Sequence, residues 1–258
     1  MTDCKINIDS LVAHRGLQHS YPENTILSLK KAVEFGARYI ELDVQFSSDC
    51  QPVIYHDSDL QRVSAQLGNI WQYSRQKLLQ LPAYEPERLG DRFKAETIAP
   101  LEALVTLLQE NPQVIAFVEL KQESIDHCGR EVMLNSVSQI LEPVKSQAVI
   151  ISYDYRLVQI AREQQSFSVG VVLEHWQDLY TEPVQSCRPD YMFVDREIMP
   201  DEIDSKVSEM ATLVAYEVGD VALAKELIAK GFTMLETFEM ENLATGQQDM
   251  AQVKTYAT

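Results

Sequence analysis

Short β-rich runs alternate with longer segments of helical period along almost the whole chain, and this alternation restricts the fold more than any single residue does. The strand candidates are LVAH (11–14), YIELDVQ (39–45), PVIYH (52–56), VIAFVELK (114–121), AVIIS (148–152), FSVGVVL (167–173), YMFVD (191–195), TLVAY (212–216) and FTMLE (232–236). Between them lie stretches such as NTILSLKKAVEFG, PLEALVTLLQE, REVMLNSVSQILEPV and DVALAKELIAKG, whose apolar residues recur every three to four positions. Such a βα alternation demands a parallel sheet covered by helices. Spread over 258 residues, it predicts a closed (β/α)8 TIM-type barrel. The run at 52–56 is supernumerary: the link SSDCQP before it is too short for a crossover helix, so it reads as a hairpin partner of the second strand. Residues 57–99 then break the rhythm with short helical and loop signals. They predict a small inserted subdomain at the barrel mouth, in a chain that is otherwise one domain over 1–258. A doubly wound open sheet would need a glycine-rich phosphate turn, and with 9 glycines the chain has neither GxGxxG nor GxxxxGK[ST].

Charge narrows the class of partner. The formal net charge is −17, from 22 basic and 39 acidic residues, whereas a nucleic-acid groove or an anionic membrane surface calls for a basic footprint. The expected partner is a small molecule. No apolar run reaches the roughly 18 residues of a spanning helix, and MTDCKINIDS lacks the basic start and apolar stretch of a signal peptide. A cytoplasmic monomer or homodimer is expected. Cys4, Cys50, Cys128 and Cys187 are far apart and form no CxxC pair, so reduced thiols are expected, with no disulfide framework or zinc cluster.

The chemistry begins where a strand carries charge. In YIELDVQ the alternation puts Ile40, Leu42 and Val44 on one face and Glu41 and Asp43 on the other. In a barrel strand one face packs on helices and the other looks into the barrel, where unpaired anions are costly. In VIAFVELK, Phe117, Glu119 and Lys121 share a face, adding a third inward carboxylate and a lysine. Glu41, Asp43 and Glu119 either pair with Arg or Lys in a structural ion network or offer the hard oxygen ligands that suit Mg²⁺ or Ca²⁺. Two histidines also end strands, His14 after LVA and His56 after PVIY, and each precedes a charged residue, Arg15 or Asp57. Such a pair can divide the roles of general base and general acid. Arg15 supplies a planar fork of donors suited to phosphate and Lys121 a second positive charge. A cation, two proton-transfer groups and two phosphate-binding side chains together fit the cleavage of a phosphodiester.

These residues stand in an order that resembles the glycerophosphodiester phosphodiesterase family. The segment AHRGLQHSYPENTILSLKKAVEFGARYIELDVQFSSDCQPVIYHDSDLQR is similar to the family's HRG, PENT, helix ending in GA, ExDV, TxDG-like turn and HD in succession. VELK (118–121) resembles its E[IL]K, and ISYD (151–154) its SFD strand end. The resemblance implies a (β/α)8 barrel that hydrolyses glycerophosphodiesters to sn-glycerol 3-phosphate and an alcohol with a divalent cation. It implies Glu41, Asp43 and Glu119 as metal ligands, His14 and His56 as the acid–base pair, and Arg15 and Lys121 as phosphate-binding residues. It also places the family's small subdomain at 57–99.

The second half of the chain matches by rhythm alone and departs in detail. Cys50 stands where the family usually has a turn glycine, YEVG (216–219) replaces a WTVN-like strand end, and GFTMLETFEM (231–240) lacks the aspartate and proline of the usual last strand. Glu217 either contacts the metal or a hydroxyl, or faces solvent. His19, His127 and His175 fall on no motif. Trp71 and Tyr73 read as a lid over the alcohol or as the insertion's own core, and Trp176 as part of the rim or as helix packing. Two alternatives remain at this level: a related enzyme acting on lysophospholipids or another head-group diester, and a non-catalytic barrel that binds glycerophosphodiesters.

Overall fold

The computed structural model describes residues 5–164, 167–204 and 206–246. In chain order its strands are β1 (Leu11–Ala13), β2 (Tyr39–Phe46), β3 (Pro52–Ile54), β4 (Ala99–Pro100), β5 (Ile115–Leu120), β6 (Ala148–Ser152), β7 (Ser168–Val172), β8 (Tyr191–Asp195), β9 (Thr212–Tyr216) and β10 (Met234–Thr237). Eight of them, β1, β2 and β5 to β10, pair in parallel, and the ring closes because β1 pairs with both β10 and β2. The expected (β/α)8 barrel is the observed one. The run at 52–56 is indeed a hairpin partner: β3 lies antiparallel to β2, with Val44 opposite Ile54. The two-residue β4 adds itself to β3 and carries no sequence signal of its own.

Alternation sorts the barrel into two apolar layers. Val12, Phe117, Val149, Ile151, Val172, Phe193, Val214 and Met234 pack together inside the barrel. Phe117 fills its centre, edge-on to Phe193 and Tyr191 at ring separations of 5.0 and 4.9 Å. The neighbouring positions, among them Ile40, Leu42, Val44, Val118, Leu120, Ile150 and Leu235, face outward against the helices. Trp176 is buried in this outer layer, so it packs on helices and does not stand on the rim.

Between β3 and β4 the chain makes short helices at Gln61–Ser64, Arg75–Leu78 and Pro86–Leu89. They share a separate core of Val53, Tyr55, Leu60, Val63, Ile70, Leu78, Leu81, Ala83 and Ile98, with Trp71 and Tyr73 packed against it. Arg88 fastens this segment to the loop after β1 by donating to the carbonyls of Gln18, His19 and Tyr21.

The cysteines require a correction. Cys50 and Cys128 form a disulfide with their Cα atoms 5.7 Å apart, Cys187 is free and buried, and Cys4 lies outside the described residues. The expectation of reduced thiols failed because the partners are 78 residues apart in sequence. Only the closed barrel brings the turn after β2 against the helix Gln122–Cys128 that follows β5.

Candidate active site

Seven of the eight barrel strands, all but β7, deliver a polar residue at the carboxyl end of the barrel, where barrel sites form. Beyond the apolar plug of Val12, Phe117 and their neighbours, the inward positions become His14, Asp43, Glu119, Tyr153, Asp195, Tyr216 and Glu236, with Glu41 one step deeper. β2 and β5 are in register so that Asp43 sits beside Glu119 and Glu41 beside Phe117. Glu41, Asp43 and Glu119 each offer a carboxylate oxygen, and these atoms lie within 4.8 Å of one another.

The loop after β1 is shaped to bring cationic groups to these carboxylates. Gly16 has φ +86°, and a Cβ there would come within 2.6 Å of the Ser28 carbonyl carbon, so only glycine fits. The preceding Arg15 is also left-handed, at φ 53°. Its backbone N–H donates to Glu41 Oε2 at 3.0 Å, and its guanidinium donates to Glu23 Oε1 at 3.0 Å. Arg15 Nε lies 3.1 Å from Asp43 Oδ2, close enough for charge attraction but without hydrogen-bond alignment. Lys121 Nζ reaches Glu119 Oε1 at 2.8 Å and Asp43 Oδ1 at 3.3 Å.

The PENT stretch, recognised above only as a motif, acquires a physical reading. Thr25 caps the helix Ile26–Phe35, accepting from the Ser28 N–H. Asn24, left-handed at φ 52°, clasps Asp43 by donating to Oδ2 at 2.8 Å and accepting from its backbone N–H at 3.0 Å. Glu23 is fully buried between Arg15 and Arg62, with Arg62 making two contacts of 2.7 Å. Burial alone would raise the Glu23 carboxyl, but the two guanidinium groups outweigh it and hold the pKa at about 2. A depressed carboxylate pKa contributes stability that is complete above its ordinary value of 4.5 and fades as pH falls towards about 2. Thermal melts across that window should therefore show a steeper loss in the wild type than in Glu23→Gln. Parallel pH curves for the two proteins would contradict the assignment.

His56 is held by Asp57, its Nδ1 lying 2.7 Å from Oδ1, and Asp57 is in turn gripped by Arg62 at 2.8 Å. His14 Nε2 lies 3.4 Å from Glu236 Oε1 and 4.0 Å from Glu41 Oε2, while its Nδ1 is buried without a hydrogen-bond partner. Burial, then the adjacent Arg15 charge, push its pKa well below the ordinary value, which favours the neutral form of the ring.

The carboxylates divide into two kinds. For Asp43, burial is outweighed by Lys121, His56 and Arg15, which hold it well below the usual carboxylate range. Glu41 is pushed well above that range by burial and by the charges of Asp43, Glu236 and Glu119. Its Oε1 is buried and has no hydrogen-bond partner. An orphaned, crowded carboxylate oxygen facing two more carboxylates is what a hard divalent cation would satisfy, so this donor set fits the Mg²⁺ or Ca²⁺ expected from the sequence.

All seven residues singled out in the sequence thus belong to the same mouth. Glu23, Asn24 and Arg62, which organise it, were not singled out, and neither was Glu236. The alternation of β10 carried a signal for Glu236, since Met234 and Glu236 share the inward face. Glu217 is left-handed at φ 59° and half-buried, and burial followed by the Asp195 charge raises its carboxyl. It belongs to no carboxylate cluster suited to a cation among the described residues.

Fold and mouth together define a (β/α)8 barrel whose carboxylate cluster is flanked by histidines and bounded by Arg and Lys. The chain belongs to the glycerophosphoryl diester phosphodiesterase family, whose model matches residues 14–203. It is 28% identical over 196 residues to a glycerophosphodiester phosphodiesterase of Caldanaerobacter subterraneus subsp. tengcongensis, covering 73% of this chain and 79% of that one. With the human glycerophosphodiester phosphodiesterase 1 it shares 35% identity over 103 residues, 40% of this chain and 31% of that protein. The chain thus matches about three tenths of the length of its mammalian relatives. In fold it is similar to an Oleispira antarctica phosphodiesterase solved with the product sn-glycerol-3-phosphate, at a TM-score of 0.78 and 22% identity, covering 91% and 94% of the two chains. A Silicibacter pomeroyi structure described as a putative glycerophosphoryl diester phosphodiesterase gives a TM-score of 0.77 at 18% identity, covering 92% and 93%.

Proposed function

We propose that this protein is an enzyme that hydrolyses glycerophosphodiesters to sn-glycerol 3-phosphate and an alcohol, at a divalent cation, Mg²⁺ or Ca²⁺, held by Glu41, Asp43 and Glu119. The observation that carries the reading is the orphaned Glu41 Oε1 inside a three-carboxylate cluster at the catalytic end of the barrel. Family membership and the names of the relatives support the reaction class.

When bound, the cation supplies electrostatic stabilisation of the charge that builds on the phosphoryl oxygens. Arg15 and Lys121, already aimed at the cluster, bind the phosphate from the protein side. Asp57 occupies His56 Nδ1, which leaves Nε2 as the nitrogen that moves a proton. His14 takes the complementary role, so that one imidazole removes a proton from the attacking oxygen and the other protonates the leaving oxygen. The insertion over 57–99 borders the mouth as a subdomain of a single domain, and its Arg62 keeps both Asp57 and Glu23 in place.

A small-molecule diester suits this mouth better than a long-chain lipid. The large exposed apolar residues among those described, Leu67, Val132, Tyr180, Met210 and Ile228, are scattered along the sequence, and no two of them share an element. The proposed substrate therefore binds from solution to a monomer or homodimer. Among the described residues no helix is long and apolar enough to cross a membrane. The Cys50–Cys128 bridge is of the kind that persists in oxidising compartments.

Calorimetric titration with Mg²⁺ and with Ca²⁺ tests the ligand set. Binding is expected to the wild type and to weaken roughly tenfold or more in Asp43→Asn and Glu119→Gln, as expected for loss of a charged oxygen ligand. Unchanged affinity in both variants would overturn the assignment.

A further inference from the structure

Glu236 is a buried carboxyl of the mouth that the mechanism above does not use. It lies on β10 opposite Val12 of β1, two residues before His14 on the same inward face. The residue is 4% exposed, and Oε1 stands 3.4 Å from His14 Nε2. The inward layer beneath it is apolar, with Met234 two residues earlier on its own strand. Burying a carboxyl at that place costs stability unless it has a partner, and the imidazole of His14 is the partner within reach.

We propose that Glu236 is a positioning residue for His14, fixing the orientation of the imidazole that exchanges a proton with substrate. The ring needs such a guide. Its Nδ1 finds no hydrogen-bond partner, and the Glu41 carboxylate lies farther away, at 4.0 Å. Two carboxylates from opposite sides, Glu41 from β2 and Glu236 from β10, therefore bracket Nε2, with the Glu236 contact the shorter. A second ring nitrogen held by an acid is the usual way a working histidine is kept in one tautomer and one orientation. Here the holding group faces Nε2 itself, so it sets the direction of the ring by a short polar contact.

This inference rests on the phosphodiesterase reading, and the test separates the two. Turnover of a glycerophosphodiester would be measured for wild type, His14→Ala, Glu236→Leu and Glu236→Gln, with saturating cation, alongside nitrogen NMR of the His14 ring. Leucine matches the apolar layer below and keeps the barrel packed, while glutamine keeps a polar group at the same place. Glu236→Leu should lower kcat roughly ten- to a hundredfold with KM changed less than about twofold, the scale seen when a group orienting a working imidazole is lost. Its His14 nitrogen resonances should show a changed tautomer balance, which a purely structural role would not produce. Glu236→Gln should restore most of kcat. Wild-type kcat and unchanged His14 resonances in Glu236→Leu would overturn the proposal. So would a raised cation requirement in both variants, which would make Glu236 a metal ligand instead. If His14→Ala itself keeps full turnover, the reading of the site has failed; if it is inactive while Glu236→Leu is unaffected, only the positioning role has failed.

Discussion

His14→Ala and His56→Ala should each lower the rate of diester hydrolysis by about 10²–10⁴, the range that a positioned proton-transfer group contributes. The two side chains enter the mouth from different strands and answer to different partners. His56 is fixed by Asp57 and Arg62, whereas His14 stands among Glu41, Glu236 and Arg15. Neither replacement removes a carboxylate, so cation affinity measured by calorimetry should stay close to wild type. Because both histidines serve one proton relay, the double variant should be little worse than the slower single variant. Initial rates of sn-glycerol 3-phosphate release from glycerophosphocholine decide the matter. A single variant retaining more than about a tenth of wild-type turnover would remove that histidine from the acid–base pair.

The second large effect is on stability. Cutting the Cys50–Cys128 bridge opens a loop spanning a sequence separation of 78, for which the chain-entropy relation gives about 4.5 kcal/mol. For a domain of this size that corresponds to a Tm lower by about 10 °C. The bridge ties the turn after β2, which carries Asp43, to the helix that begins just after Lys121. Cys128→Ser should therefore melt early, and a reducing agent should lower the wild-type Tm to a similar value. Cys50→Gly should be the milder change. Cys50 is left-handed at φ 49°, so glycine relieves about 1–2 kcal/mol of backbone strain while the bridge is lost. Melting curves with and without reductant compare all three proteins. A wild-type Tm that does not respond to reductant would contradict a stabilising bridge.

How far the sequence alone led depended on whether a feature was local. The alternation of strands and helices is local, and it gave the barrel and the hairpin status of residues 52–56. The inward carboxylates of β2 and β5 were legible for the same reason, since a charge on the buried face of a strand is conspicuous at a spacing of two. Glu236 obeys the same rule, but β10 is only four residues long, so the signal it carries is weaker than on β2 or β5. The disulfide, the Asn24–Asp43 clasp and the Glu23–Arg62 pair join residues whose proximity exists only once the barrel closes. For the same reason PENT was legible as a motif and not as a helix cap with a carboxylate clasp. Tyr153 and Tyr216, whose hydroxyls meet at 2.9 Å across the mouth, illustrate the limit again: they come from β-strand ends 63 residues apart.

The most direct test of the whole account follows glycerophosphocholine by phosphorus NMR in the presence of the purified protein, with Mg²⁺, with Ca²⁺ and with a chelator. The diester resonance should be replaced by that of sn-glycerol 3-phosphate with at least one of the cations, and the chelator should stop the conversion. A diester signal that persists with both cations, or disappears equally fast with the chelator, would contradict it.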